Sequence, residues 1–77
     1  MTPIPLADLP EGTEATLRTL GGARSFRRRL MELGLLPGTP VRVVRRASVG
    51  GVMELEVRRS RLSLRLAEAR ELAVERA

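Results

Sequence analysis

The 77-residue sequence contains no cysteine, histidine, tryptophan or tyrosine, and Phe26 is its only aromatic residue. Each absence removes a class of function. Without cysteine there is no disulfide framework, and without cysteine or histidine there is no zinc site of the usual thiolate or imidazole kind. Only carboxylates are left to bind metal, and none cluster at ligand spacing. The Ser–His and Cys–His pairs of nucleophilic catalysis cannot be built. An enzyme is therefore not expected, and no catalytic residue, metal ligand or cofactor can be assigned. The lack of aromatics also argues against two binding modes. Readers of single-stranded nucleic acid stack bases on aromatic rings, and proline-rich peptides dock in aromatic-lined grooves. No apolar run approaches the roughly 20 residues that span a bilayer. The start, Met1-Thr2-Pro3-Ile4-Pro5-Leu6, has neither the positive region nor the apolar core of a signal peptide. Any membrane role is expected to be indirect, without insertion of the chain, and a cytoplasmic location is the default.

What is present is arginine. All 14 basic residues are arginine, against 9 acidic residues, for a net charge of +5. The guanidinium fork grips carboxylates and phosphates, so one reading is a basic surface seeking an acidic partner, nucleic acid or lipid headgroups. The other is a solvated charged surface. The length fits one domain, residues 1–77. A domain of this size buries only about 60% of its unfolded surface, and a net stability of about 4–10 kcal/mol is expected.

The chain is organised around residues 27–39. Ala23, Phe26, Leu30 and Leu33 recur at helical spacing, which predicts a helix over about 23–33 with these four side chains on its buried stripe. Arg24, Arg27, Arg28 and Arg29 fall off the stripe. Glu32, four residues after Arg28, is placed to form an exposed ion pair. Gly34 suits the left-handed residue that stops a helix, with Leu35 folding back on Leu30. Pro37-Gly38 fits the centre of a type II turn.

Around this stretch the pattern is that of strands. Pro3, Pro5 and Pro10 argue against a helix at the start, where Ile4, Leu6 and Leu9 can still anchor the lead-in. Ala15 and Leu17 alternate with polar residues after a Pro10-Glu11-Gly12 turn. Val41, Val43 and Val44 follow Pro40, which must open a strand or lie on an edge. Met53, Leu55 and Val57 alternate with Glu54, Glu56 and Arg58, Arg59-Ser60 makes a tight reversal, and Leu62 and Leu64 alternate with arginines. Leu66 to Arg70 fits one helical turn, and Leu72 and Val74 a last strand. About five strands, with one short helix between the first and second, point to a mainly β fold: a small closed or half-closed barrel.

The stretch Arg27-Arg28-Arg29-Leu30-Met31-Glu32-Leu33-Gly34-Leu35-Leu36-Pro37-Gly38-Thr39, the strand Val41 to Ala47 and Arg61-Leu62-Ser63-Leu64-Arg65 together resemble the FeoA family. These are small cytoplasmic proteins of bacterial ferrous iron transport. The resemblance runs from Leu6 to Glu75. It implies an SH3-like β-barrel with an inserted helix, and a partner, the FeoB-type membrane transporter with its cytosolic GTPase domain. The function it implies is that of a non-catalytic accessory protein that binds and modulates that transporter. The sequence departs from the family pattern at Ser48-Val49-Gly50-Gly51-Val52 and at Arg59-Ser60, both in turns.

Two stretches are candidates for partner binding. One is the exposed face of the helix, Arg24, Arg27, Arg28, Arg29 and Met31. The other is the loop with Val49, Gly50, Gly51 and Val52, either an apolar mobile tip or a hairpin connection with its valines turned inward. A third set, Arg42, Arg45, Arg46, Arg58, Arg59, Arg61 and Arg65, could form a positive sheet face. That set motivates the alternative of a basic small-barrel module binding nucleic acid. A further alternative is a free-standing SH3-like domain of a metal-dependent regulator. Weak self-association is compatible with exposed Met31 and Val49.

Overall fold

The computed structural model describes residues 2–47 and 50–76. In chain order the elements are β1 (Ile4–Pro5), a 3-10 turn (Leu6–Asp8), β2 (Glu14–Leu20), α1 (Arg24–Glu32), β3 (Pro40–Ala47), β4 (Val52–Val57), β5 (Ser60–Arg65), α2 (Leu66–Ala69) and β6 (Leu72–Arg76). The strands form one antiparallel sheet in the order β1-β6-β2-β3-β4-β5. The mainly β architecture expected from the alternation is present, in the SH3-like form that the resemblance implies. Among the described residues there are six strands where about five are expected, so the longer helix lies between the second and third. The additional strand is too short to show a period: Ile4 pairs with Val74 and Pro5 with Ala73. The prolines of the lead-in also do not prevent a 3-10 turn, which fits between Pro5 and Pro10.

Among the described residues the two ends of the sheet, β1 and β5, do not pair, so the barrel is half-closed. Two β-bulges bend it, between Leu17 and Thr19 in β2 and between Val43 and Arg45 in β3. An extra residue in one strand of a pair increases local twist and coils the sheet. The concave face then buries Ala15, Leu17, Val41, Val43, Met53, Leu55, Val57, Leu64, Leu72 and Val74 together. Leu6 and Leu9 of the lead-in are fully buried against them, as the expected anchors.

The segment from α1 to β3 folds as its sequence dictates. Gly34 takes φ +97°. The Leu35 N–H donates to the Leu30 carbonyl at 3.0 Å and the Gly34 N–H to the Met31 carbonyl at 3.0 Å, the two bonds of a Schellman stop. Gly38 takes φ +93°, and the Thr39 N–H donates to the Leu36 carbonyl at 3.0 Å, closing the turn. The Gly38 N–H donates to Leu17 at 2.7 Å and the Leu17 N–H to Thr39 at 2.9 Å. The turn is thereby stitched to β2 before Pro40 opens β3.

The expected stripe of α1 needs correction. Leu30 is fully buried and Phe26 partly, but Ala23 is the exposed N-cap and Leu33 the C-cap, 54% exposed. With only nine residues, α1 has about two and a half turns to lay on the core. The reversal at Gly34 then carries Leu35, fully buried, into the position the spacing assigned to Leu33. The β4–β5 reversal also shifts by one residue. It is centred on Arg58 and Arg59, at φ +51° and +76°, with Val57 paired to Ser60.

Candidate partner-binding surface

Helical geometry divides the arginines of α1 into two groups. Arg24, Arg27, Arg28 and Met31, at i, i+3, i+4 and i+7, surround a shallow recess of about 370 Å³. Arg29 points around the other side of the helix. Its guanidinium lies 5.7 Å from the centre of the Phe26 ring and 2.8 Å from a carboxylate oxygen of Glu68 on α2. Phe26 and Glu68 thus hold Arg29 over the gap between the two helices. The expected Arg28–Glu32 pair does not form; the described ion pairs are Arg18–Glu75, Arg29–Glu68 and Arg61–Glu54.

Glu68 is positioned by α2 itself. As the third residue of that helix it accepts the Arg65 N–H at 3.0 Å, the carboxylate half of a capping box. This bond, followed by the hydrogen bond and charge of Arg29, holds its carboxyl below the usual carboxylate range. The pair spans the rim of a cleft of about 540 Å³ between α1 and the β5–α2 corner. Leu30, Leu33, Val52, Leu62 and Leu64 supply its apolar lining, and Arg29, Arg65 and Glu68 its charged rim.

The expected loop residues fare differently. Val49 lies outside the described residues. Gly50 is exposed, whereas the Gly51 carbonyl accepts the Leu66 N–H at 2.7 Å, which ties the loop to α2. Val52 pairs with Arg65, is half-buried and lines the cleft. The structure therefore brings Arg29 and Val52 together in the cleft, and Arg24, Arg27, Arg28 and Met31 around the recess. Leu33, Leu62 and Glu68 belong to the cleft and were not among the expected site residues. Only Glu68 carries a sequence signal, the spacing of a carboxylate three residues past an N-cap. Leu33 and Leu62 read as core by alternation and periodicity.

The arginines of the sheet do not form a uniform positive face. Across the outer surface Arg61 stands opposite Glu56, Glu56 opposite Arg42, and Arg42 opposite Glu14. Arg61 also reaches Glu54 at 2.9 Å. Arg46 is structural: its backbone N–H donates to Glu11 at 2.7 Å and its guanidinium to the Leu9 carbonyl at 3.2 Å. Among the described residues no group of three or more acidic side chains is placed to hold a metal ion.

The described residues thus form a half-closed SH3-like sheet with a basic helix and, on one side, a cleft of mixed charged and apolar lining. A model of the FeoA domain matches residues 4–76, and the chain belongs to the FeoA family. The solution structure of the FeoA protein from Chlorobium tepidum is 32% identical, with a TM-score of 0.90 over 95% of this chain and 70% of that one. A crystal structure of the iron uptake regulatory protein FeoA is 21% identical, with a TM-score of 0.87 over 99% of this chain and all of that one. A manganese-dependent transcriptional repressor in complex with manganese reaches a TM-score of 0.92 at 15% identity, over all of this chain and 38% of that one. At that identity the likeness is one of fold. No curated protein matches the chain.

Proposed function

We propose that this FeoA-family chain is a non-catalytic accessory protein of ferrous iron transport that binds the cytosolic part of a FeoB-type transporter. The observation that carries the reading is the cleft beside α1. Leu33 is 54% exposed at its edge, Leu62 and Val52 are half-buried within it, and Arg29 and Glu68 bound it. An apolar floor with a few convergent charged groups is the usual make-up of a recognition site. The occupant that suits it is a short segment presenting one apolar side chain beside a polar group able to meet Arg29 or Arg65. Such docking modulates transport only if it favours one state of the transporter over another. The test is a titration of the protein against the transporter's cytosolic domains in lipid-free buffer, with and without guanine nucleotide. Saturable binding that Leu33→Asp abolishes is expected. Absence of binding in every nucleotide state rejects the reading.

A further inference from the structure

Among the described residues the exposed large apolar side chains are Met31 (43%), Leu33 (54%) and Leu36 (43%). All three lie within residues 31–36, at the C-terminal end of α1 and the loop after it. A single exposed leucine needs no explanation, but three large apolar side chains within six residues concentrate exposed apolar surface at one end of an 8.5 kDa domain. The same helix is the most basic part of the fold. Arg24–Glu32 holds four arginines and one carboxylate, Glu32, a net +3 of the chain's +5. Arg24, Arg27 and Arg28 form no ion pair with a described residue. Arg27 makes one long contact, 3.4 Å to the Gly22 carbonyl.

We propose that this end of the molecule is a contact surface for an anionic lipid bilayer. Met31, Leu33 and Leu36 enter the headgroup boundary, and Arg24, Arg27 and Arg28 meet lipid phosphates around their recess. Basic side chains beside apolar ones are the composition that holds a protein to an anionic interface without spanning it. A free phosphate in solution would use the arginines and leave the apolar side chains without a role. The arrangement also favours lipid over an acidic protein. Met31 lies on the recess side of α1, Leu33 on the cleft side and Leu36 beyond the Gly34 reversal. A fluid layer closes around side chains that point in several directions, whereas a protein partner must supply a matched surface for each. The contact is peripheral, since no helix among the described residues is long and apolar enough to cross a membrane. It does not depend on the transporter reading.

The experiment is co-sedimentation of the folded protein with vesicles of phosphatidylcholine alone and of phosphatidylcholine mixed with phosphatidylglycerol, across a salt series. Sedimentation with the mixed vesicles only, weakening as salt rises, is expected. Arg24→Gln/Arg27→Gln/Arg28→Gln should lower vesicle affinity roughly 100-fold. Met31→Ser/Leu36→Ser should lower it roughly tenfold. The sheet-face control Arg42→Gln/Arg45→Gln should bind within a factor of about two of the parent, because its charges face Glu56 and Glu54. Circular dichroism checks that each variant is folded; apart from half-buried Arg27, every altered position is exposed. No sedimentation with mixed vesicles at low salt overturns the proposal. So does an equal loss in the sheet-face control, which would mean non-specific charge, or full binding by Met31→Ser/Leu36→Ser. Complete competition by inorganic phosphate would assign the arginines to a soluble anion. Variants that keep vesicle binding but lose the transporter domains in lipid-free buffer would make the patch a protein interface. Either result also refutes it.

Discussion

The hairpin between β4 and β5 turns on two arginines at positive φ, and exchanging Arg59 for glycine measures what that geometry costs. A two-residue connection with positive φ at both centres is a type I′ turn, which favours Asn-Gly. Here Arg58 sits at +51° and Arg59 at +76°. An L-residue with a Cβ in this region costs about 1–2 kcal/mol, because the Cβ crowds the following carbonyl. Arg59→Gly removes that term at one position. It also frees the unfolded chain, which takes back about 0.4–1 kcal/mol. The difference favours the glycine variant by about 0.5–1 kcal/mol. For a domain of 60–100 residues this raises Tm by about 2–8 °C. Arg59 forms no described ion pair, so little else should change. Far-UV circular dichroism is the assay, because the chain has no tryptophan or tyrosine to report by fluorescence. Arg59→Ala is the decisive companion: it removes the charge and keeps the Cβ. The backbone argument expects alanine to leave Tm close to that of the parent. If alanine raises Tm as much as glycine does, charge relief is the cause and the conformational reasoning is refuted. A glycine variant no more stable than the parent refutes it equally.

Three further outcomes follow from the same structure. Leu30→Ala, at a fully buried position, should cost about 2–5 kcal/mol, whereas Leu33→Ala should stay within about 0.5 kcal/mol of the parent; urea midpoints compare them, and equal losses would put Leu33 back in the core. Gly38→Ala forces a Cβ into φ +93° and should destabilise by about 1–2 kcal/mol, read from the same midpoints with an unchanged slope. The Arg65 N–H, with Arg29, lowers the folded-state pKa of Glu68 below that of an ordinary glutamate, so its contribution is fully present above the unfolded value and fades as pH falls through the lowered folded value. Glu68→Gln should therefore reduce stability slightly at neutral pH and converge on the parent in acid, and an unchanged difference across the acid range would contradict the linkage.

Local chemistry made much of the fold readable. The Leu30–Thr39 stretch encodes its own geometry, since glycine and proline at fixed offsets leave few alternatives, and both turns form where they were expected. Strands also follow, because alternation survives wherever one face is buried. What escaped is non-local. β1 exists only because β6 passes beside it, and no two-residue strand has a period of its own. Leu33 looked like core because periodicity assumes that a helix continues on its surface. The stop at Gly34 instead delivers Leu35 to the core and leaves Leu33 at the cleft edge. The turn shift to Arg58–Arg59 was hidden for a third reason. Arginine is a poor choice at positive φ, so nothing in the residue types announced it.

The distribution of charge decides between the competing readings of a +5 chain. Nucleic acid affinity comes from many phosphate contacts made at once and requires a continuous positive track. On the outer sheet the sequence Arg61, Glu56, Arg42, Glu14 crosses four strands with alternating sign. Opposed cross-strand charges stabilise the sheet by a few tenths of a kcal/mol each and cancel its field at a distance. Arg18 is likewise paired with Glu75, and the Arg46 guanidinium is held at the Leu9 carbonyl. The unbalanced charge lies on α1, a nine-residue helix about 14 Å long. That is too short to follow a nucleic-acid backbone through many phosphates, and Met31, Leu33 and Leu36, exposed at its end and in the loop after it, are side chains that a phosphate track would not need. The residues that pair on the sheet hold the barrel together, and those left unpaired on the helix are the ones free to meet a partner.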